Sequence, residues 1–105
     1  MSDLDYKIIK QLEIKPNTSQ RELSKHFGIS LGKVNFILRA LINKGLIKAT
    51  DFKNSNNKRS YIYQLTSKGI SRKAKMAVEF LHIKKKEYEK LQIEIEEIKK
   101  DIEND

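Results

Sequence analysis

Four side chains in one short segment are the best placed in this sequence to do chemistry. In "SLGKVNFILRALINK", residues 30–44, Lys33, Asn35, Phe36 and Arg39 fall on one side of a helical repeat. Val34, Ile37, Leu38 and Leu41 fall on the other. Ammonium and guanidinium groups pair with phosphate oxygens or a guanine edge, and a carboxamide pairs bidentately with an adenine edge. A phenyl ring packs on a thymine methyl group; facing water, it would leave apolar surface exposed at a cost. The other expected seats for Phe36 are beneath a neighbouring hairpin or against a partner subunit. Ser30, Leu31 and Gly32 start the segment, and the missing side chain at Gly32 allows close approach.

Further polar and cationic groups flank this segment. Ser19, Gln20 and Arg21 open the preceding helical stretch, where free N–H groups and the helix dipole favour an anion. Lys53, Lys58 and Arg59 lie on either side of the polar run Asn54-Ser55-Asn56-Asn57. Each lysine alone would be an ordinary solvated charge; only a shared face gives them weight together.

Other chemistry finds little support. Cysteine is absent, so disulfides, thiolate zinc sites and thiol catalysis are excluded. His26 and His82 are the only histidines and lie far apart, with no HxxxH pair and no glycine-rich phosphate cradle. His26 is expected to pack at the end of its helix and His82 to sit beside a helical seam. Neither an enzyme nor a cofactor is expected. No apolar run approaches a membrane span and no signal-peptide pattern opens the chain, so a cytoplasmic protein with no membrane partner is expected.

The chain has 105 residues and a formal charge of +8, which suits a polyanionic partner. Residues 1–65 carry 12 Lys/Arg against 5 Asp/Glu, and residues 66–86 carry 7 against 1. Residues 87–105 reverse the balance, with 3 against 8. A polyanion should therefore meet the first four-fifths of the chain.

These residues need elements to hold them. Ser2 can cap a first helix that Pro16 stops by about Lys15. Ser19-Gln20-Arg21-Glu22 has the spacing of a capping box, opening a short helix with Leu23 and Phe27 inward. Ser24 is small where the next helix crosses. Gly28 supplies the positive φ of a tight turn, Ser30 caps a third helix running to about Lys44, and Gly45 closes it. Residues 46–53 and 60–65 read as the two strands of a hairpin. The expected fold is mainly α with a small β-hairpin: a winged helix-turn-helix over residues 1–66, followed by one long C-terminal coiled-coil helix over 67–105.

Thr66 caps that last helix. Its repeat runs Ile70, Ala74, Ala77, Leu81, Lys84, Tyr88, Leu91, Ile95, Ile98, Ile102, with nine of the ten positions apolar. This is a coiled-coil seam, and a domain of about 65 residues cannot cover a helix roughly 55 Å long. Its simplest partner is a second copy, giving a homodimer. Lys84 either snorkels to water past Tyr88 or fixes register. Strand direction stays open: whole-segment charge leans antiparallel, while Glu94 and Lys99 would suit a parallel pair.

The stretches "SQRELSKHFGISLGKVNFILRALINKGLIK", "FKNSNNKRSYIYQLTSKG" and the long terminal helix resemble the MarR-type winged-helix regulators. "LTSKG", Leu65 to Gly69, is similar to the start of that family's post-wing helix. "SLGKVN", Ser30 to Asn35, resembles the recognition helix of the short subgroup found with exopolysaccharide gene clusters. Asn57-Lys58-Arg59 stands where the broader family's wing usually carries aspartate-arginine-arginine. The broader family dimerises through helices at both chain ends and binds phenolic effectors between them. This chain begins almost at its first winged-helix element, so that pocket is not expected, and any small-molecule effector is unknown. The resemblance implies a transcriptional regulator of polysaccharide genes.

The expected function is sequence-specific binding of double-stranded DNA, with residues 30–44 in the major groove. Residues 53–60 would touch the backbone or minor groove. Two other readings fit the sequence: a sequence-neutral architectural DNA protein, and a winged-helix module that docks proteins.

Overall fold

The structure, a computed structural model, describes residues 2–53 and 59–104, with the backbone alone at Phe52, Lys53, Arg59 and Ser60. Four helices and one hairpin follow in the order α1 (Asp3–Ile14), α2 (Gln20–Phe27), α3 (Leu31–Asn43), β1 (Ile47–Lys53), β2 (Arg59–Leu65) and α4 (Ser67–Glu103).

Local chemistry sets the boundaries. Ser2 and Asp5 form a reciprocal capping box at α1. At α2 the expected box is only half made. The Ser19 hydroxyl accepts from the Glu22 N–H at 3.0 Å, but the Glu22 carboxylate turns away to Lys15 Nζ at 2.6 Å and the Thr18 hydroxyl at 3.3 Å. An ammonium is a stronger donor to a carboxylate than a neutral amide, and it wins here. Gly28 ends α2 at φ +64°. Ser24 then stitches the turn: its hydroxyl donates to the Ile29 carbonyl at 2.5 Å, and its own carbonyl accepts the Ile29 N–H at 3.1 Å. Ser30 caps α3 by accepting from Lys33 N–H, and Gly45 follows that helix at φ +73°.

The strands pair antiparallel from Ile47 opposite Leu65 to Lys53 opposite Arg59. Tyr63 N–H donates to the Pro16 carbonyl at 2.8 Å, tying the hairpin base to the α1–α2 connection. Ile8, Ile9 and Leu12 of α1 meet Leu23 of α2, then Val34, Ile37, Leu38 and Leu41 of α3. Leu46, Ile47, Tyr63 and Met76 complete this core. Burying each such aliphatic side chain contributes about 1.5–3 kcal/mol.

The start of α4 belongs to this core. Gly69 and Met76 are buried, and Tyr6 stacks on Phe80 with ring centroids 4.9 Å apart. Lys73 forms an ion pair with Glu13. A Cβ at Gly69 would lie 1.9 Å from the Leu46 carbonyl oxygen, so the first turn of α4 rests directly on the backbone entering β1. The unit expected over residues 1–66 thus shares its core with the first four turns of α4. From Leu81 to Asn104 every residue is exposed.

The molecule is accordingly long, 68 × 28 × 21 Å. Ile70, Leu81, Tyr88, Leu91, Ile95, Ile98 and Ile102 are all exposed, from 43% at Ile95 to 70% at Ile102. Ala74 is also exposed, while Ala77 is half-buried beside the core. Lys84 is exposed and pairs with Glu87 at 3.2 Å.

Candidate nucleic-acid interface

The helix-turn-helix presents the outer face of α3 as a convex ridge. Its inner face is fixed by Val34, Ile37, Leu38 and Leu41, all buried, so the outer residues have no freedom to rotate inward. Leu31, Gly32, Lys33, Phe36 and Arg39 are exposed, and Phe36 stands 73% open to solvent. The ring is therefore not tucked beneath the hairpin. It borders a shallow groove shared with Leu4, Phe27, Lys33 and Ile37.

Among the described residues Gly32 has no steric reason: a Cβ there would meet nothing within 4 Å. Glycine in a helix costs roughly 0.5–1 kcal/mol relative to alanine. An exposed helical glycine with no internal neighbour is the residue type that lets another molecule approach the backbone closely.

Asn35 differs from its neighbours. It is half-buried, and its Nδ2 lies 3.5 Å from Gln20 Oε1, while Gln20 Nε2 lies 3.4 Å from the Tyr63 hydroxyl. These long contacts link α3, α2 and β2 in one line and orient the Asn35 amide from behind. The first helix turn of α2 and the exposed face of α3 are thereby coupled, a relation that no spacing in the sequence revealed. The only signal was Tyr63 itself, at an inward position of the alternating run "SYIYQL".

Arg21 is exposed at the start of α2. The Ser19 and Ser30 hydroxyls accept backbone N–H groups as caps, which leaves each hydroxyl hydrogen able to donate outward. Hydrogen bonding from the Lys15 side chain, with its charge, holds the Glu22 carboxyl below the usual carboxylate range. Lys15 thus offsets the acidic group nearest the anion-favouring end of α2. Lys53 and Arg59 lie opposite each other at the far end of the strand pair. Lys58 lies outside the described residues. His26 packs edge-on against Phe27, with ring centroids 4.7 Å apart. Among the described residues no cluster of His, Asp and Glu could hold a metal, and no helix is long and apolar enough to cross a membrane.

Residues 1–48 match a family model described as winged helix-turn-helix DNA-binding. No curated protein matches the chain in sequence. Solved structures of transcriptional regulators share the fold. The PcaV transcriptional regulator from Streptomyces coelicolor, solved with its natural ligand, superposes with a TM-score of 0.67 at 17% identity, covering 80% of this chain and 58% of that one. A single-residue mutant of MepR from a multidrug-resistant S. aureus clinical isolate gives 0.65 at 17% identity, covering 82% of this chain and 62% of that one. BldR from Sulfolobus solfataricus gives 0.59 at 24% identity over 71% of this chain and 52% of that one. PcaV and MepR are MarR-family regulators, so the likeness in fold is to that family. The chain spans between half and two-thirds of the length of these three.

Proposed function

We propose that this protein is a sequence-specific double-stranded DNA-binding regulator of transcription that acts as a homodimer joined through α4. The observation that carries the reading is the exposed ridge of α3, where Lys33, Phe36 and Arg39 project beside a glycine with no internal neighbour. In the major groove Arg39 and Asn35 would read base edges, Phe36 would cover a thymine methyl group, and Leu31 and Gly32 would allow the helix start to sit close. Ser19, Gln20, Arg21 and Ser30 would hold phosphates along one side, with Lys53, Lys58 and Arg59 doing so from the wing. The resemblance of Ser30 to Asn35 to the exopolysaccharide-associated subgroup points to polysaccharide genes as targets. A reporter fused to such a promoter should respond to loss of the protein, and an unchanged reporter would remove that target.

Arg39→Ala and Asn35→Ala should each reduce preference for a selected duplex over random duplex by about 5- to 150-fold, from roughly 1–3 kcal/mol per base-reading pair. Folding should be intact, because Arg39 is exposed and Asn35 makes one long side-chain hydrogen bond among the described residues. Anisotropy titrations of both duplexes check this; unaltered discrimination in both variants would remove the recognition-helix assignment.

Gly32→Ala should act in opposite directions on two measurements. Chemical denaturation should show a gain of roughly 0.5 kcal/mol from helix propensity. Affinity for the selected duplex should fall, because the new methyl group occupies the space of close approach. Equal or better binding would show that Gly32 has no part in docking. A selected duplex bound no better than random DNA would favour the architectural reading instead.

A further inference from the structure

Resting on the homodimer reading above, we infer that the partner copy lies antiparallel along α4, with the dyad beside Lys86 and the ten seam positions meeting as five mirrored layers. The seam is uncovered within one chain, and its sequence is complementary to its own reverse. Antiparallel overlap sets Ile70 opposite the partner's Ile102, and Ala74 opposite the partner's Ile98. It sets Ala77 opposite the partner's Ile95, and Leu81 opposite the partner's Leu91. Each alanine faces an isoleucine, so no layer is left to alanines alone. The remaining layer sets Lys84 opposite the partner's Tyr88, whose ring and hydroxyl suit an ammonium. A parallel pair would instead put Lys84 against the partner's Lys84 and leave two thin alanine-on-alanine layers.

Charge selects the same direction. Residues 66–86 are net +6 and residues 87–105 are net −5, and antiparallel pairing lays each half against the other. Such exposed pairs add little affinity each, but they discriminate between orientations. Only at the dyad do like charges meet, Lys85 on one edge and Glu87 on the other, where both are solvated and screened.

The arrangement has a consequence for DNA. The positions of α4 that face the core, Gly69, Lys73, Met76 and Phe80, lie about a quarter-turn round the helix from Ile70, Ala74 and Leu81. In an antiparallel pair the dyad is perpendicular to the helices. Both winged-helix units then project from the same side. Met76 and the partner's Met76 are separated by ~30 Å along the axis, at 1.5 Å per residue. That is close to the ~34 Å between successive major grooves on one face of a duplex. A parallel pair would throw the two units to opposite sides of its axis.

The absence of cysteine allows a direct test. Leu81→Cys and Leu91→Cys variants are made separately, mixed by co-refolding and oxidised. Heterotypic cross-links in the mixture, with none in either variant alone, are expected. Ala74→Cys with Ile98→Cys gives a second pair should one leucine variant fold poorly by circular dichroism. Homotypic cross-links at Leu81→Cys or Leu91→Cys would overturn the orientation while leaving the dimer. A dimer that cross-links with neither pair would overturn the register. Sedimentation of the unmodified protein separates these outcomes from failure of the dimer itself, which a monomer at tens of micromolar would demonstrate.

Discussion

Leu91→Glu should raise the dissociation constant of the dimer by at least about a hundredfold. Each dimer buries this position twice, and each leucine removed from the seam forfeits roughly 1.5–3 kcal/mol. The replacement carboxylate would also have to be desolvated against apolar neighbours, which costs more. The leucine is 53% exposed in the single chain, so the substitution should leave the winged-helix core untouched. A second effect should accompany dissociation. Beyond Phe80 the helix has no cover within the chain, and most helical stability in proteins comes from packing an apolar face rather than from propensity. Helicity should therefore fall when the dimer splits. Ile93→Glu is the control: Ile93 is similarly exposed, but it lies outside the repeat. It should leave the dimer intact. Sedimentation showing Leu91→Glu and the unmodified protein with the same mass would mean that the seam does not hold two copies together.

Gly69→Ala should destabilise the fold by about 3 kcal/mol, at the upper end of what forced overpacking usually costs. The obstacle is backbone rather than a movable side chain. The added carbon would meet the Leu46 carbonyl oxygen at 1.9 Å, with the carbonyl carbon at 2.9 Å. Relief requires lifting the first turn of α4 away from the start of β1. That motion would strain the Thr66 N–H bond to the Leu46 carbonyl, now 3.0 Å, and the Thr66 hydroxyl bond to the Gly45 carbonyl. It would also shift Met76 and Phe80, which carry the helix onto α1. Urea denaturation should show a lower midpoint with a similar slope, the signature of a changed stability rather than a changed unfolded state. A midpoint within error of the unmodified protein would mean that α4 does not rest on β1 as described.

The seam around Leu91 and the seat of Gly69 were not equally readable in the sequence. The seam of α4 was evident in the sequence because its repeat is long and apolar, and the caps Ser2, Ser30 and Thr66 were evident because capping is local chemistry. The tight turn at Gly28 is local in the same way. The seating of α4 on the core was not evident. Its inward positions are Gly69, Lys73, Met76 and Phe80, a set with no common character and no apolar period. The reason for Gly69 depends on a carbonyl twenty-three positions earlier, which only the folded chain brings near.

The same division holds at the candidate interface. Exposure of Lys33, Phe36 and Arg39 followed from the helical repeat, since the buried positions of α3 leave those residues nowhere else to point. The orientation of Asn35 through Gln20 and Tyr63 did not, because three elements must first be packed together. Glu22 is a third instance. Its spacing from Ser19 fits a capping box, but Lys15 comes within reach only when the α1–α2 connection folds back.

We propose above that the ridge of α3 reads a duplex. Selection of bound duplexes from a random pool, with the unmodified protein, measures this most directly. The expected result is enrichment of a defined sequence, bound at least about a thousandfold more tightly than random duplex at moderate salt. It should contain two inverted half-sites about one helical turn apart. Failure to retain any duplex, even at low ionic strength where the charge of the winged-helix unit should act, would contradict the claim.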